Sequence, residues 1–262
     1  MAGEHVWKIC LSKTEQQRRA AAARFRRELR KGDGRRFGPT AGRIFDGVEN
    51  SMRLENTPVL ETGRLLLRPF RPEDRVAILN IFGDWEANVY LPWFPLQTLE
   101  EAERFFEERY SRLYRQPRGY GYAVCLKGDG VPIGYVNVSL AEGYDLGYGL
   151  RHEFWHRGIT SEAARAVVER VEADGLPYLT ATHDVNNPRS GSVMRRLGMK
   201  YCYSYQEQWQ PKDCLVTFRL YQLNFDGGDA VYWNYWKHSN VHFIEEMLSA
   251  NPGEKCSGHL AE

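Results

Sequence analysis

The chain has 262 residues, 42% of them hydrophobic and 26% charged, with 35 basic against 34 acidic side chains and a net charge of +1. That length suits one good-sized domain with appendages, and seven Trp with fifteen Tyr supply ample area for a core. No run approaches the ~20 apolar residues of a membrane helix and no apolar signal segment opens the chain, so a cytoplasmic protein without a membrane partner is expected.

Residues 1–51 hold 12 Lys/Arg against 6 Asp/Glu, a basic arm on a near-neutral remainder. Ser12 and Glu15 suggest a capping box for a helix running toward Arg36, but Gly32, Gly34, Gly38 and Gly42 break any longer pattern. A poorly ordered extension is expected. The alternatives are a nucleic-acid-binding arm, or an extended start with Met52 as the true initiator.

From Glu61 onward, regular elements alternate with turn signals. Arg64–Arg68 is a short apolar strand ended by Pro69, and Pro72-Glu-Asp opens a helix with its acids in the first turn. A second helix is expected from Thr98 to about Arg115, with Thr98 as N-cap, Glu101 at the capping-box position, and Ala102, Phe105, Phe106 and Leu113 on one face. Three strands follow: Tyr120–Leu126, Pro132–Leu140 and Tyr144–Leu150, joined by glycine turns. Gly158–Ala173 reads as a helix with Ala163, Ala166, Val167, Val168 and Val171 inward. Then come a strand, Tyr178–His183, a short helix, Asn187–Leu197, and a strand pair, Met199–Trp209 and Leu215–Asn224. This order implies an α/β or α+β fold on one central sheet. The tail from Asp226 carries Tyr232, Trp233, Tyr235, Trp236 and Phe243, aromatic area that must pack on the domain or on a second copy, so a homodimer is possible. Cys10, Cys125, Cys202, Cys214 and Cys256 lie far apart with no metal-ligand spacing, so reduced thiols and no metal are expected.

The segment Trp155-His-Arg-Gly-Ile-Thr-Ser-Glu-Ala163 lies between a strand and an apolar helix. Strand, glycine loop and helix N-terminus together make an anion cradle, because free backbone N–H groups and the helix dipole point at one place. A second block, Asn186-Asn-Pro-Arg-Ser-Gly-Ser-Val-Met-Arg-Arg-Leu-Gly-Met199, follows the next strand, with Asn187 suited to N-cap a helix that begins at Pro188.

These two blocks, with the entry Leu60-Glu-Thr-Gly-Arg-Leu-Leu-Leu-Arg-Pro-Phe70, resemble the GNAT acetyltransferases, particularly the RimJ/RimL-like branch, over about Leu60 to Phe225. Trp155 and Thr160 depart from the usual loop residues. The resemblance implies a GNAT-like, mixed, mostly antiparallel sheet flanked by helices, spanning residues 52–225, with 226–262 as an appended tail. It implies acetyl-CoA as cosubstrate, its diphosphate held by His156, Arg157, Gly158, Ile159, Thr160 and Ser161, and its pantetheine arm near Asn187 and Ser190. It also implies that the strand before the loop splays from its neighbour and offers main-chain donors at Tyr148, Gly149 and Leu150 to the thioester.

Acetyl transfer to an amine needs a base, a carbonyl donor and a proton for the leaving thiolate. Glu207 is the expected base, and Ser190 the expected acid by its match to the N-x-x-S motif. Tyr201 and Tyr221 are alternatives, as tyrosine serves this role elsewhere in the family. The acceptor pocket is expected, by resemblance, between the loop 85–95 and the last strands, walled by Trp85, Tyr90, Trp93, Phe94, Tyr205 and Trp209, with Asp84, Glu86 and Glu207 attracting a cationic amine. The acceptor is a protein N-terminus, a peptide or a small amine, including an antibiotic. A non-catalytic acyl-CoA-binding module is the alternative from another class.

Overall fold

The structure, a computed structural model, describes residues 55–246. The basic arm and the last part of the tail therefore lie outside the described residues. No helix among the described residues is long and apolar enough to cross a membrane.

Strands β1 (Leu60–Glu61) and β2 (Leu65–Pro69) form an opening hairpin. A 3-10 turn (Pro72–Asp74) leads into α1 (Arg75–Phe82), and α2 (Trp85–Asn88) is one short turn inside the loop that follows. Next, α3 (Leu99–Phe105) continues through a π-helical stretch (Phe106–Ser111) into Arg112–Tyr114. Thr98 caps α3 by accepting from the Glu101 N–H, while the Glu101 carboxylate reaches past the cap to the Gln97 N–H at 2.7 Å. Each of the two groups satisfies a backbone donor at the helix entrance.

The meander is β3 (Tyr120–Leu126), β4 (Pro132–Val138) and β5 (Leu146–Leu150). The third strand starts at Leu146, because Tyr144 takes a positive φ of 48° that no regular strand accommodates. Then come α4 (Ile159–Ala173), β6 (Tyr178–Asp184), α5 (Pro188–Arg196), β7 (Lys200–Trp209) and β8 (Cys214–Asn224). Two elements in the tail, α6 (Asn234–His238) and β9 (His242–Phe243), have no counterpart in the sequence reading.

The expected central sheet is present as two halves. One has the order β1-β2-β3-β4-β5, the other β6-β8-β7-β9. They meet at a single parallel bridge, Asp145 to Thr180, beyond which β5 and β6 part. One face of both halves is covered by α4 and α5. Ile159, Ala163, Ala164, Val167, Val168 and Val171 point into that core, with Ala164 taking the inward place expected of Ala166. Fully burying each of these valines contributes about 1.5–3 kcal/mol. The other face is covered by α1 and α3 on the first half, through Ile78, Phe82, Phe106 and Tyr110. On the second half, Val231, Trp233, Tyr235 and Trp236 of the tail pack on Tyr203, Tyr205, Phe218 and Leu220. The tail then rounds the sheet edge, adds β9 to β7, and brings Glu245 to Arg219 at 2.6 Å. Cys125 and Cys202 are buried and Cys214 half-buried, with no disulfide among the described residues.

Candidate active site

The backbone donors of the splay follow from register. Ser139 N–H donates to Asp145 C=O and Arg151 N–H to Ile133 C=O, and Tyr135 pairs with Gly149. In an antiparallel ladder the odd residues Asp145, Gly147, Gly149 and Arg151 therefore spend their backbone groups on β4. Leu146, Tyr148 and Leu150 turn theirs the other way, into the gap beside β6. Of the three donors expected from the resemblance, Tyr148 and Leu150 face the gap and Gly149 does not. The Leu150 C=O is taken by Trp155 Nε1 at 2.8 Å, which ties the following loop back onto the strand.

That loop carries two left-handed residues, His156 at φ 61° and Gly158 at φ 71°, immediately before α4. A Cβ built on Gly158 meets only Arg64 Nη2 at 3.8 Å, so the glycine answers to its backbone angle, and the space above it is open. The first turn of α4 has no side-chain cap. Among the described residues nothing takes the N–H groups of Ile159, Thr160 and Ser161, while the Glu162 N–H returns to Gly158 C=O. Glu162 is drawn aside by Arg64, whose Nε lies 2.7 Å from its carboxylate, and by the Thr62 hydroxyl. Burial pushes the Glu162 carboxyl up, but these partners outweigh it and hold it below the ordinary range. Arg64 also donates to Arg157 C=O at 3.0 Å, and Arg189 lies over the Trp155 ring at 5.2 Å. The result is an uncapped helix N-terminus with Arg64, itself paired to Glu162, beside it, a fit for a diphosphate. Arg64 and Arg189 went unmarked in the sequence because neither lies in the loop itself.

On the same face, Asn187 caps α5 by accepting from Ser190 N–H at 3.3 Å. The Tyr148 phenol crosses the gap to Ser190, donating to its carbonyl at 2.8 Å and lying 3.0 Å from its hydroxyl. Tyr221 is not brought to this place. It is buried in β8, and its hydroxyl accepts from Arg195 at 3.3 Å, five residues along α5 from Ser190. Tyr201 is likewise committed, to Ser204 and to the Glu245 N–H.

The opposite face forms a groove over the splay. Gly147 leaves its floor bare, with nothing within 4 Å of a built Cβ, whereas Gly149 is roofed by the Tyr135 ring. Asn137, paired with Gly147, has a carboxamide oxygen with no described partner. Glu207 stands on the far wall. Its carboxyl is raised, first by loss of solvent and then by the charge of Asp145. The side chain is exposed, so a crowded but open concavity causes the shift. At the open end of the splay, buried Lys212 on the β7–β8 turn donates to Asn88 of α2, at 2.8 Å to its carbonyl and 3.1 Å to its side-chain oxygen.

The expected aromatic wall is dispersed. Trp93 packs on Phe82 and Phe105 beneath Arg109, Trp209 lies on Phe218, and Tyr205 is buried under Tyr235. Trp85 is largely exposed and Tyr90 half-buried. Asp84 caps α2 and accepts from the His152 N–H at 2.8 Å and its ring at 3.0 Å. Burial pushes Asp84 up, yet the His152 and Ala87 donors hold it below the ordinary carboxylate range, so it pins the loop. With Glu153 these two make a trio of metal-ligand type, though the Asp84 carboxylate is already spent on its N–H donors.

Two half-sheets parting beside an uncapped helix N-terminus make the framework of an acyltransferase fold. The chain belongs to the GNAT acetyltransferases: the family model of the Acetyltransferase (GNAT) domain matches residues 64–200, just over half of it. YoaA, an uncharacterized N-acetyltransferase of Bacillus subtilis (strain 168), is 27% identical over 148 residues, covering 55% of this chain and 83% of that protein. Among solved structures, the ribosomal-protein-S5-alanine acetyltransferase of Vibrio fischeri shares the fold at TM-score 0.54 and 19% identity, covering 65% of this chain and 98% of its own. RimL, the ribosomal L7/L12 alpha-N-protein acetyltransferase in complex with coenzyme A, does so at TM-score 0.56 and 18% identity, covering 64% and 99%.

Proposed function

We propose that the chain transfers an acetyl group from acetyl-CoA directly to a primary amine, with donor and acceptor bound together. The observation that carries this reading is the nearness of the uncapped α4 N-terminus to the splay, where the Tyr148 N–H has no partner among the described residues. The residues fit the cosubstrate. The N–H groups of Ile159, Thr160 and Ser161, with His156, Arg157 and Gly158 shaping the loop, suit a diphosphate, and Asn187 and Ser190 line the way to the gap.

Acetyl-CoA supplies an acetyl group activated as a thioester. Tyr148 N–H, fixed by the sheet, donates to the carbonyl where negative charge grows, a preorganised contact that needs no rearrangement. Glu207 takes a proton from the ammonium, leaving the neutral amine to attack, and a raised carboxyl is the better-matched base for that step. As the C–N bond forms and the C–S bond breaks, the nitrogen gives up its second proton to solvent, and Ser190 delivers a proton to the departing sulfur and recovers one from solvent. Two like carboxylates on the groove, Glu207 and Asp145, favour a cationic acceptor such as a protein N-terminus, a peptide or a small amine.

Calorimetry with CoA and acetyl-CoA, followed by thiol release with amine acceptors, tests the reading. Sub-millimolar binding and amine-dependent thiol release are expected. No affinity for CoA in either form overturns it, and binding without release on any amine returns the non-catalytic alternative.

A further inference from the structure

Asp145 belongs to no pattern that the sequence marks, Tyr235 only to the aromatic run of the tail, and the two lie 90 residues apart. Asp145 sits where the half-sheets part, and its carboxylate accepts from the hydroxyls of Thr180 and Tyr235. Thr180 is fully buried in β6. Tyr235 comes from the tail, beyond the residues that match the family. Its ring is stacked on Tyr205 at 5.2 Å and 16°, and Tyr232 meets it edge-on at 5.3 Å. The Tyr235 hydroxyl is thus held in place before any ligand arrives, and little entropy is lost in using it. Odd-numbered Asp145 projects to the face that Gly147 leaves bare, the side that bears Glu207. Neither carboxylate has a described cation: Asp145 has only its two hydroxyl donors, and no ion pair involves Glu207.

Resting on the acetyl-transfer reading of this groove, we propose that the tail is a working part of the acceptor site. In it, Tyr235 is the positioning residue that fixes Asp145 as the anchor for a second positive charge on the acceptor. Glu207 serves the reacting nitrogen. Asp145 and Glu207 lie on one face of the splay, so an amine with a neighbouring cationic group is matched twice, and a simple alkylamine once. The chemical class is a diamine or a peptide end beside a basic side chain.

The full chain, saturated with CoA, is titrated with propane-1,3-diamine and separately with propylamine, following the backbone amide resonances of Gly147 and Thr182. Tighter binding of the diamine is expected. Asp145→Asn and Tyr235→Phe each weaken the diamine about tenfold, the scale of one partly exposed charged contact, weaken propylamine by a clearly smaller factor, and leave CoA affinity unchanged. Tyr235→Phe keeps the stack on Tyr205, so a purely structural role of the ring would not move the preference. A preference that survives both substitutions, or no shift at Gly147 and Thr182 with either amine, overturns the proposal. Repeating the diamine titration without CoA separates the two readings: failure of CoA to bind sinks acetyl transfer alone, whereas the diamine result judges the tail.

Discussion

The Tyr148 phenol and Ser190 are joined across the splay by two contacts, 2.8 Å to the seryl carbonyl and 3.0 Å to its hydroxyl. Since the phenol gives its own proton to the carbonyl, the seryl hydroxyl is left to donate to the phenol oxygen. Burial pushes the phenol far above its usual range, so Tyr148 stays protonated and orients Ser190 without itself serving as an acid. Ser190→Ala is expected to lower turnover about tenfold or more, while Tyr148→Phe, which keeps the hydroxyl but frees it, costs only a few-fold. CoA affinity by calorimetry should hold in both. Equal rates for Ser190→Ala and the unaltered chain would remove Ser190 as the acid.

Gly158 is the next test. Its φ of 71° is open to glycine and hostile to a β-branched residue, at a cost of order 1–3 kcal/mol. Gly158→Val should therefore tilt the first N–H groups of α4 and weaken CoA about tenfold or more. The melting temperature should fall by only a few degrees, since Ile159, Ala163 and Val167 still hold the helix. Undiminished CoA binding would mean that the diphosphate lies elsewhere.

Glu207 gives opposite signs for rate and stability. A carboxyl raised in the folded chain favours folding at low pH, and that contribution is lost as pH rises through the folded value. Glu207→Gln should accordingly cut turnover tenfold or more at neutral pH while raising the thermal midpoint slightly. The acidic limb of kcat/KM should lie above the ordinary glutamate value of ~4.3. Asp145→Asn, which removes the second cause of the shift, should move that limb to lower pH. A limb unmoved by Asp145→Asn would uncouple the two carboxylates.

Glu162 runs the other way. Held below its ordinary range by Thr62 and Arg64, it stabilises the junction above the unfolded value of ~4.3, and that support is lost as pH falls through the folded one. Glu162→Gln should lose about 1 kcal/mol of stability at neutral pH, read by denaturant titration, and little below pH ~3. A loss that persists undiminished in acid would point to shape instead of charge.

Gly191 tests how α5 is seated. A Cβ there would come 2.5 Å from the Nε2 of His183, an imidazole that burial keeps below its usual range and whose Nε2 has no described partner. Gly191→Ala must push the first turn of α5, and Ser190 with it, off the strand. A destabilisation of about 1–3 kcal/mol with a fall in turnover is expected. Unchanged activity would show that Ser190 tolerates the displacement.

Local signals were legible where they were complete in a short stretch. Tyr120–Leu126 is bounded as its flanking turns imply, and Thr98 caps α3 as its position implies. The cradle could be read from Gly158 because loop and helix are contiguous. The parity of β5 could not: whether Tyr148 or Gly149 faces the gap depends on which residues of β4 lie opposite. Of the tryptophans expected in the acceptor wall, Trp93 packs half-buried against the core, where it finds Phe82 and Phe105, while Trp85 stays exposed. Nothing within a window of sequence joins Asp145 to Tyr235, or Arg64 to Glu162. Such pairs exist only once the chain has folded.

Lys212 and Asn88, 124 residues apart, bind the two half-sheets together at the end where they diverge, while the Asp145–Thr180 bridge binds them where they converge. A wedge fastened at both apex and rim has a set angle. Swinging either half outward to admit a bulky ligand would break the Lys212–Asn88 contacts or the bridge, so the fold favours one width of cleft before any substrate arrives.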